Sequence, residues 1–255
     1  MTIRPERWLA ALGLGLWLLA GAAAANAGPC RHDSHEGRGY VLCEVAAGDD
    51  VRLWLRDPEG AILGSFARLE ALVAVEGLRL DFAMNAGMFH PDRSPVGLLR
   101  TPEGAEGPLV TRAGPGNFGM LPNGVFCIRE GGFAVIESRA FAAGAGEGCR
   151  YATQSGPLLV IAGVLHPRFL ADSESRFVRN GVGVSAGGRR AVFAISDRGV
   201  SFHEFARLFR DHLGLPDALY FDGNTSRLYA PGLGRFDGGL PLGPLVGLVS
   251  DAGGG

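Results

Sequence analysis

The chain has 255 residues and a formal charge of −2, and all 24 of its basic residues are arginine. The lack of lysine excludes lysine Schiff-base chemistry and a P-loop lysine. A weakly acidic chain with no basic tail is a poor nucleic-acid binder. Any anion it binds must be held by Arg, whose planar fork suits phosphate and carboxylate oxygens.

At the N-terminus, Arg4 and Arg7 precede an apolar run from Trp8 to Ala25, and Ala25-Asn26-Ala27 has the small-x-small form of a signal peptidase site. This predicts a signal peptide over residues 1–27, a mature domain over 28–255, and a periplasmic or secreted protein with no stable membrane insertion after cleavage. A transmembrane anchor is the alternative reading, because the apolar run is of borderline length. Gly28-Pro29 before Cys30 fits a lipoprotein signal poorly. The even set Cys30, Cys43, Cys127 and Cys149 favours two disulfides in an exported chain. Pairing Cys30 with Cys43 and Cys127 with Cys149 closes two short local loops, although three connectivities are open. No cysteine or histidine spacing resembles a metal site, and the pattern implies no cofactor.

Further along, Tyr40 to Ala46 and Val51 to Arg56 alternate as a hairpin around Gly48-Asp49-Asp50. Ser65 to Gly77 has helical spacing at Phe66, Leu69, Leu72 and Val73. A strand over Leu80 to Met84 leads into Asn85-Ala86-Gly87. Three more hairpins are expected. Gly124 to Arg129 with Phe133 to Glu137 turns at Gly131-Gly132. Leu158 to Ile161 with Val164-Leu165 turns at Ala162-Gly163. Val182 to Ser185 with Arg190 to Ile195 turns at Gly187-Gly188. Gly104 to Gly119 and Ala142 to Gly148 read as long loops. Ser201 and Glu204 form a capping box for a helix with an apolar face at Phe202, Phe205, Ala206, Phe209 and Leu213. Gly214 ends this helix, and the buried strand Ala218 to Phe221 follows. These elements predict a single α+β domain with a mostly antiparallel or mixed β-sheet and a few packing helices.

Three polar-glycine corners stand at strand ends, where a rigid scaffold presents chemistry: Asn85-Ala86-Gly87, Gln154-Ser155-Gly156 and Asp222-Gly223-Asn224-Thr225-Ser226. Asp222, Asn224 and Ser226 would share a side if extended. A calcium loop begins in a similar way but fits poorly, with Arg227 at its sixth position where Gly is needed and Leu233 at its twelfth where Glu is needed. Each corner also has a plainer reading: Asp222 as an Asx-turn and Asn85 as a turn-stabilising amide. His90 reads as a general acid or as a surface-loop histidine. Arg176 and Arg179 read either as a clamp for an anionic group or as surface ion-pair partners of Asp172 and Glu174. No Gly-x-Ser-x-Gly elbow or His-Glu-x-x-His signature is present.

Taken in order, Asn85-Ala86-Gly87-Met88-Phe89, Gln154 to Val160, Arg179-Asn180-Gly181-Val182-Gly183 and Tyr220-Phe221-Asp222-Gly223 resemble the phosphodiester glycosidase domain family, which includes the mannose 6-phosphate uncovering enzyme. The resemblance runs from about Tyr40 to Val249. It is strongest toward a compact, exported bacterial branch, where Asn85 to Leu98, His166 to Arg168 and Ser226 to Pro231 also fit. It implies hydrolysis of a sugar-1-phosphodiester at the anomeric carbon, with a sugar-phosphate or glycan substrate. By position, Asn85, Gly87, Arg179 and Asp222 would line the site, with Gly223 and Ser226 shaping its last corner. Asn224-Thr225 and Asn180 depart from the uncovering enzyme, so its sugar preference does not transfer with the fold.

A carboxylate can stabilise the oxocarbenium-like state of glycosidic cleavage, and a phosphate leaving group needs little protonation. On this reading Asp222 is base or nucleophile, Arg179 holds phosphate with help from Arg176, and Asn85 and Gln154 hold sugar hydroxyls. Ser155, Asn180 and Asn224 complete the substrate contacts, and Asp197, also at a strand end, is the candidate second carboxylate. Two rival functions are a non-catalytic module binding anionic glycans and a metal-dependent phosphodiesterase.

Overall fold

A computed structural model describes residues 1–2 and 28–253. Beyond its first two positions, the expected signal peptide lies outside the described residues. The strands are β1 Cys30–His35, β2 Arg38–Ala46, β3 Asp50–Trp54, β4 Leu78–Asn85, β5 Leu99–Thr101 and β6 Gly104–Glu106. Next come β7 Gly124–Arg129, β8 Gly132–Glu137, β9 Cys149–Ser155, β10 Leu158–Ile161, β11 Val164–Leu165 and β12 Asn180–Val184. The last are β13 Arg190–Ser196, β14 Asp217–Asp222, β15 Leu228–Ala230, β16 Arg235–Phe236 and β17 Leu245–Asp251. The helices are α1 Phe66–Val75, α2 Ser138–Ala140 and α3 Phe202–Arg207.

These strands form a seven-stranded sheet, β1-β2-β13-β12-β14-β10-β11, and two five-stranded sheets, β16-β15-β4-β17-β3 and β6-β5-β9-β7-β8. Neighbouring strands pair antiparallel throughout the described ladders. With its few helices, the fold is α+β. The inner faces of all three sheets meet in one core that includes Val41, Phe82, Phe126, Phe193, Leu219 and Phe221. Three of these rings interlock, with Phe126 edge-on to both Phe193 and Phe221.

On the other face of the seven-stranded sheet, Phe205 and Phe209 cover Leu42, Val192 and Tyr220. The helix that brings them there starts with the expected capping box: Ser201 Oγ accepts from Glu204 N, and Glu204 accepts from Ser201 N. After Arg207 it continues in a wider π-type turn over Leu208–His212 and stops at Gly214, where φ is +63°. Ser65 caps α1, whose Phe66, Leu69 and Val73 pack on the β4 sheet.

The hairpins β7/β8, β10/β11 and β12/β13 form where Gly-containing turns predict them. The first expected hairpin does not form. β2 pairs with β1 and β13, which occupy both of its edges, so the chain crosses to a different sheet and β3 pairs with β17. The two expected loops also contain order: β6 lies in the first and a π-type turn over Phe141–Ala145 begins the second. Both disulfides join the expected cysteines, Cys30–Cys43 between β1 and β2 and Cys127–Cys149 between β7 and β9. Among the described residues, no helix is long and apolar enough to cross a membrane.

Candidate active site

Each sheet delivers one polar corner to the same place. β4 ends at Asn85, β9 at Ser155 and β14 at Asp222, while β12 starts at Asn180 opposite Asp222. The β12/β14 register shifts between Asn180 and Gly181, leaving Phe221 as the extra residue of a bulge. Such a bulge re-aims the side chains beside it. Phe221 joins the central core, and Tyr220 packs on the α3 side.

Hydrogen bonds weld the corners together. Asn180 Nδ2 donates to the Asn85 carbonyl at 2.7 Å and to Asn85 Oδ1 at 3.2 Å, and Asn180 Oδ1 accepts from Asp222 N at 3.1 Å. Ser155 Oγ donates to the Phe221 carbonyl at 2.7 Å. Ser226 Oγ reaches the Asp222 carbonyl at 2.6 Å, with Val178 O and Asn180 Oδ1 also in range. Gly87 N donates to Thr153 Oγ1 at 3.2 Å, and a Cβ at Gly87 would run into the Gln154 carbonyl. Only glycine allows that close approach.

Above this layer opens a cleft of about 390 Å³ walled by Met88, Val96, Asn117, Phe118, Phe177 and Tyr220, together with Asp222, Gly223 and Asn224. Asp222 is the one carboxylate among those walls. Its Oδ1 accepts from Gly223 N at 2.6 Å and Asn224 N at 2.9 Å. Burial raises its pKa, and the N–H groups of Asn224, Gly223 and Thr225 oppose that shift without cancelling it. The expected Asx-turn and the cleft carboxylate are therefore the same residue.

Arg179 lies one layer below. It is fully buried, with Nε donating to the Val200 carbonyl at 2.8 Å and Nη2 to the Ser175 carbonyl at 3.2 Å. Its guanidinium carbon sits 3.7 Å from the centre of the Phe202 ring and 5.4 Å from that of Tyr220. No carboxylate pairs with it among the described residues. Nη1 and the Tyr220 hydroxyl are both buried without a partner of hydrogen-bond geometry, yet the two groups are close enough to perturb each other. Burial lowers the pKa of Arg179 and raises that of Tyr220. A Cβ on Gly223 would overlap the Tyr220 hydroxyl and approach Arg179 Nη1 at 3.6 Å, so the glycine corner lies directly over this pair.

The expected site residues thus sort into three groups. Asp222, Gly223 and Asn224 face the cleft. Asn85, Gly87, Gln154, Ser155, Arg179, Asn180 and Ser226 form the supporting layer. His90 and Arg176 lie elsewhere. His90 is exposed in the turn that pairs Phe89 with Pro95. Arg176 grips Glu204 at 2.6 and 2.8 Å beside Arg38, so neither Asp172 nor Glu174 is its partner and it does not assist Arg179.

Gln154 is not free for a sugar. Its Oε1 accepts from Leu98 N and Val110 N, while its Nε2 donates to the Val110 carbonyl and Ser138 Oγ. Asp197 pairs with Arg235 at 3.5 Å and borders a different hollow, lined by Arg38, Arg176 and Arg198. Sequence reasoning missed Tyr220, Asn117 and Phe177. Tyr220, two residues before Asp222, shares its face of the strand and was findable by alternation. A larger hollow of about 630 Å³ lies between β3 and the β5–β6 ribbon, but its Arg52 and Arg56 are already paired with Asp50, Glu76 and Glu106. Among the described residues, no group of three or more His, Cys, Asp or Glu side chains is gathered as for a metal.

An antiparallel scaffold that ends three sheets on a cleft carboxylate and a buried arginine fits a glycosidase-type enzyme, and comparison with known proteins agrees. The profile of the phosphodiester glycosidase family matches residues 79–238, a span that includes all three corners. The chain belongs to the phosphodiester glycosidase family. It is 31% identical over 182 residues to the uncharacterized protein YigE of Escherichia coli (strain K12), covering 71% of this chain and 70% of that one. Its fold matches the zebrafish N-acetylglucosamine-1-phosphodiester alpha-N-acetylglucosaminidase catalytic domain, auto-inhibited by its pro-peptide. The TM-score is 0.58 at 14% identity, over 86% of this chain and 81% of that one. A hypothetical protein from Synechocystis matches with TM-score 0.55 at 15% identity over 86% of this chain, which spans 61% of that structure.

Proposed function

We propose that the protein hydrolyses the anomeric C–O bond of a sugar-1-phosphodiester carried by exported envelope or extracellular glycan. One observation carries this reading: the cleft carboxylate Asp222 and its neighbour Gly223 form a corner that lies over a buried guanidinium, and among the described residues no carboxylate pairs with that guanidinium. A buried charge without a counter-ion is costly to a fold. An anionic ligand in the cleft would supply the missing charge, and the field of Arg179 reaches it across one layer of side chains in a low-dielectric surrounding. Tyr220 and Gly223 form the layer between that charge and the cleft, so Arg179 acts on a phosphate through its field and not through a direct hydrogen bond. Arg179 is accordingly a positioning residue, and Asp222 is the catalytic one.

Asp222 stabilises positive charge at the anomeric carbon and acts either as nucleophile or as the base that takes a proton from water. The leaving phosphate is a weak base and departs without a strong acid, which suits a cleft lined by one carboxylate. Asn85, whose Nδ2 is buried and unpartnered, holds the base of the corner. The zebrafish relative is named for an N-acetylglucosamine-1-phosphodiester, which makes that class the first to assay.

The test is turnover of nucleotide-sugars and sugar-1-phosphodiesters in isotopically labelled water. Label on the sugar, with Asp222→Asn inactive, supports the proposal. Label on phosphate, with activity lost to chelator, would instead indicate a metal-dependent phosphodiesterase. Binding without turnover, barely weakened in Asp222→Asn, would indicate a glycan-binding module.

A further inference from the structure

Phe177 is an exception on the cleft wall. It is 46% exposed, whereas most large apolar side chains near the site are covered, and it lines the same cleft as Asp222. Its position is fixed although it lies outside a regular strand. Phe177 and Val200 form an isolated antiparallel bridge, with N–H to O=C distances of 3.3 and 2.9 Å. The ring is also stationed 5.5 Å from the Arg179 guanidinium, which is held by the Val200 and Ser175 carbonyls. An aromatic face that costs little entropy to hold in place is a ready contact surface.

The rest of the wall indicates what that surface suits. Met88, Val96, Pro115 and Phe118 are apolar, while the half-buried Asn117 and the exposed Asn224 add amides to the lining. A pyranose has the matching character, with a C–H face and a rim of hydroxyls. Its polarised C–H bonds meet the negative face of an aromatic ring, and its hydroxyls meet donors and acceptors at the edge. We infer that Phe177 is the platform on which the sugar ring stacks, with Asn117 and Asn224 contacting its hydroxyls. This rests on the sugar-1-phosphodiester reading of the same cleft and adds the position of the sugar within it.

The test compares wild type with Phe177→Ala, Phe177→Leu and Phe177→Trp. Methyl α-N-acetylglucosaminide, methyl α-glucoside and N-acetylglucosamine-1-phosphate are followed by saturation-transfer NMR, and inorganic phosphate by phosphorus line broadening. Phe177→Ala and Phe177→Leu should weaken the responsive sugars at least tenfold and leave phosphate within twofold, while Phe177→Trp retains them. Unchanged sugar binding in Phe177→Ala, equal loss of phosphate, or no Phe177-dependent signal from any sugar would overturn the inference. Sugar binding that depends on Phe177 without hydrolysis of any phosphodiester would sink the hydrolase reading alone. Hydrolysis with kcat/KM unchanged in Phe177→Ala would sink the platform alone.

Discussion

The Arg179 guanidinium rests 3.7 Å from the centre of the Phe202 ring, and that aromatic face stands where a carboxylate usually would. Phe202 in turn stacks on Phe169 and meets Tyr220 edge-on, so the cation is braced by rings. A ring attracts the charge without cancelling it, which leaves a positive potential under the cleft. Arg179→Met should therefore fold with stability within about 2 kcal/mol of wild type, because relief of the buried charge offsets the lost carbonyl contacts. Chemical denaturation measures the first part. Titration with inorganic phosphate, in which affinity should fall at least about tenfold for a lost charge interaction of this size, measures the second.

Asp222 should make stability depend on pH in the reverse of the usual carboxylate sense. Its folded pKa is raised by burial, so its contribution to folding is present below the unfolded value and is lost as pH rises through the folded value. At neutral pH the ionised side chain works against the fold. Asp222→Asn should raise the denaturation midpoint near neutrality, and the gain should vanish well below pH 3.8, where both side chains are neutral. The same variant should lose about 10³-fold in turnover. The acid limb of kcat/KM in wild type should sit above an ordinary aspartate value.

Gly223 and Tyr220 should be energetically coupled. A methyl group at 223 would collide with the Tyr220 hydroxyl, while the ring carbon beneath it stays 3.2 Å away. Gly223→Ala is expected to destabilise by about 1–3 kcal/mol through overpacking. Tyr220→Phe removes the colliding atom, so a double-mutant cycle should show a favourable coupling of about 1 kcal/mol or more. Simple additivity would mean that the corner moves away independently of the tyrosine.

Asn180 joins two sheets with one amide. Asn180→Ala strands the Asn85 carbonyl and the Asp222 N–H, at about 1–3 kcal/mol for each unsatisfied buried group. Asn180→Asp keeps an acceptor for Asp222 N but sets a carboxylate against the Asn85 oxygens, and should be the worse of the two. Thermal denaturation of both variants checks the order.

The strand ends that build the site were legible because a buried apolar run followed by glycine has few other readings, as at Tyr220 to Gly223. The three local hairpins were legible for a similar reason. Side-chain roles were harder, since they depend on partners far along the chain. The capping role of Glu204 shows in Ser201-x-x-Glu204, but nothing local shows that Glu204 also captures Arg176 and Arg38. The amide of Gln154 closes on Val110 and Ser138, and Asp197 turns toward Arg235. The pairing of β3 with β17 is of the same kind, joining segments from opposite ends of the domain.

The two disulfides lie within sheets: Cys30–Cys43 in the seven-stranded sheet and Cys127–Cys149 in the sheet of β7 and β9. Neither crosses the seam where Asn85, Asn180, Ser155 and Asp222 meet. One therefore ties the edge strand β1 to β2 and the other ties the inner strands β7 and β9, while alignment of the corner at Asp222 is left to noncovalent contacts. A reducing milieu would erode endurance before it disturbed chemistry.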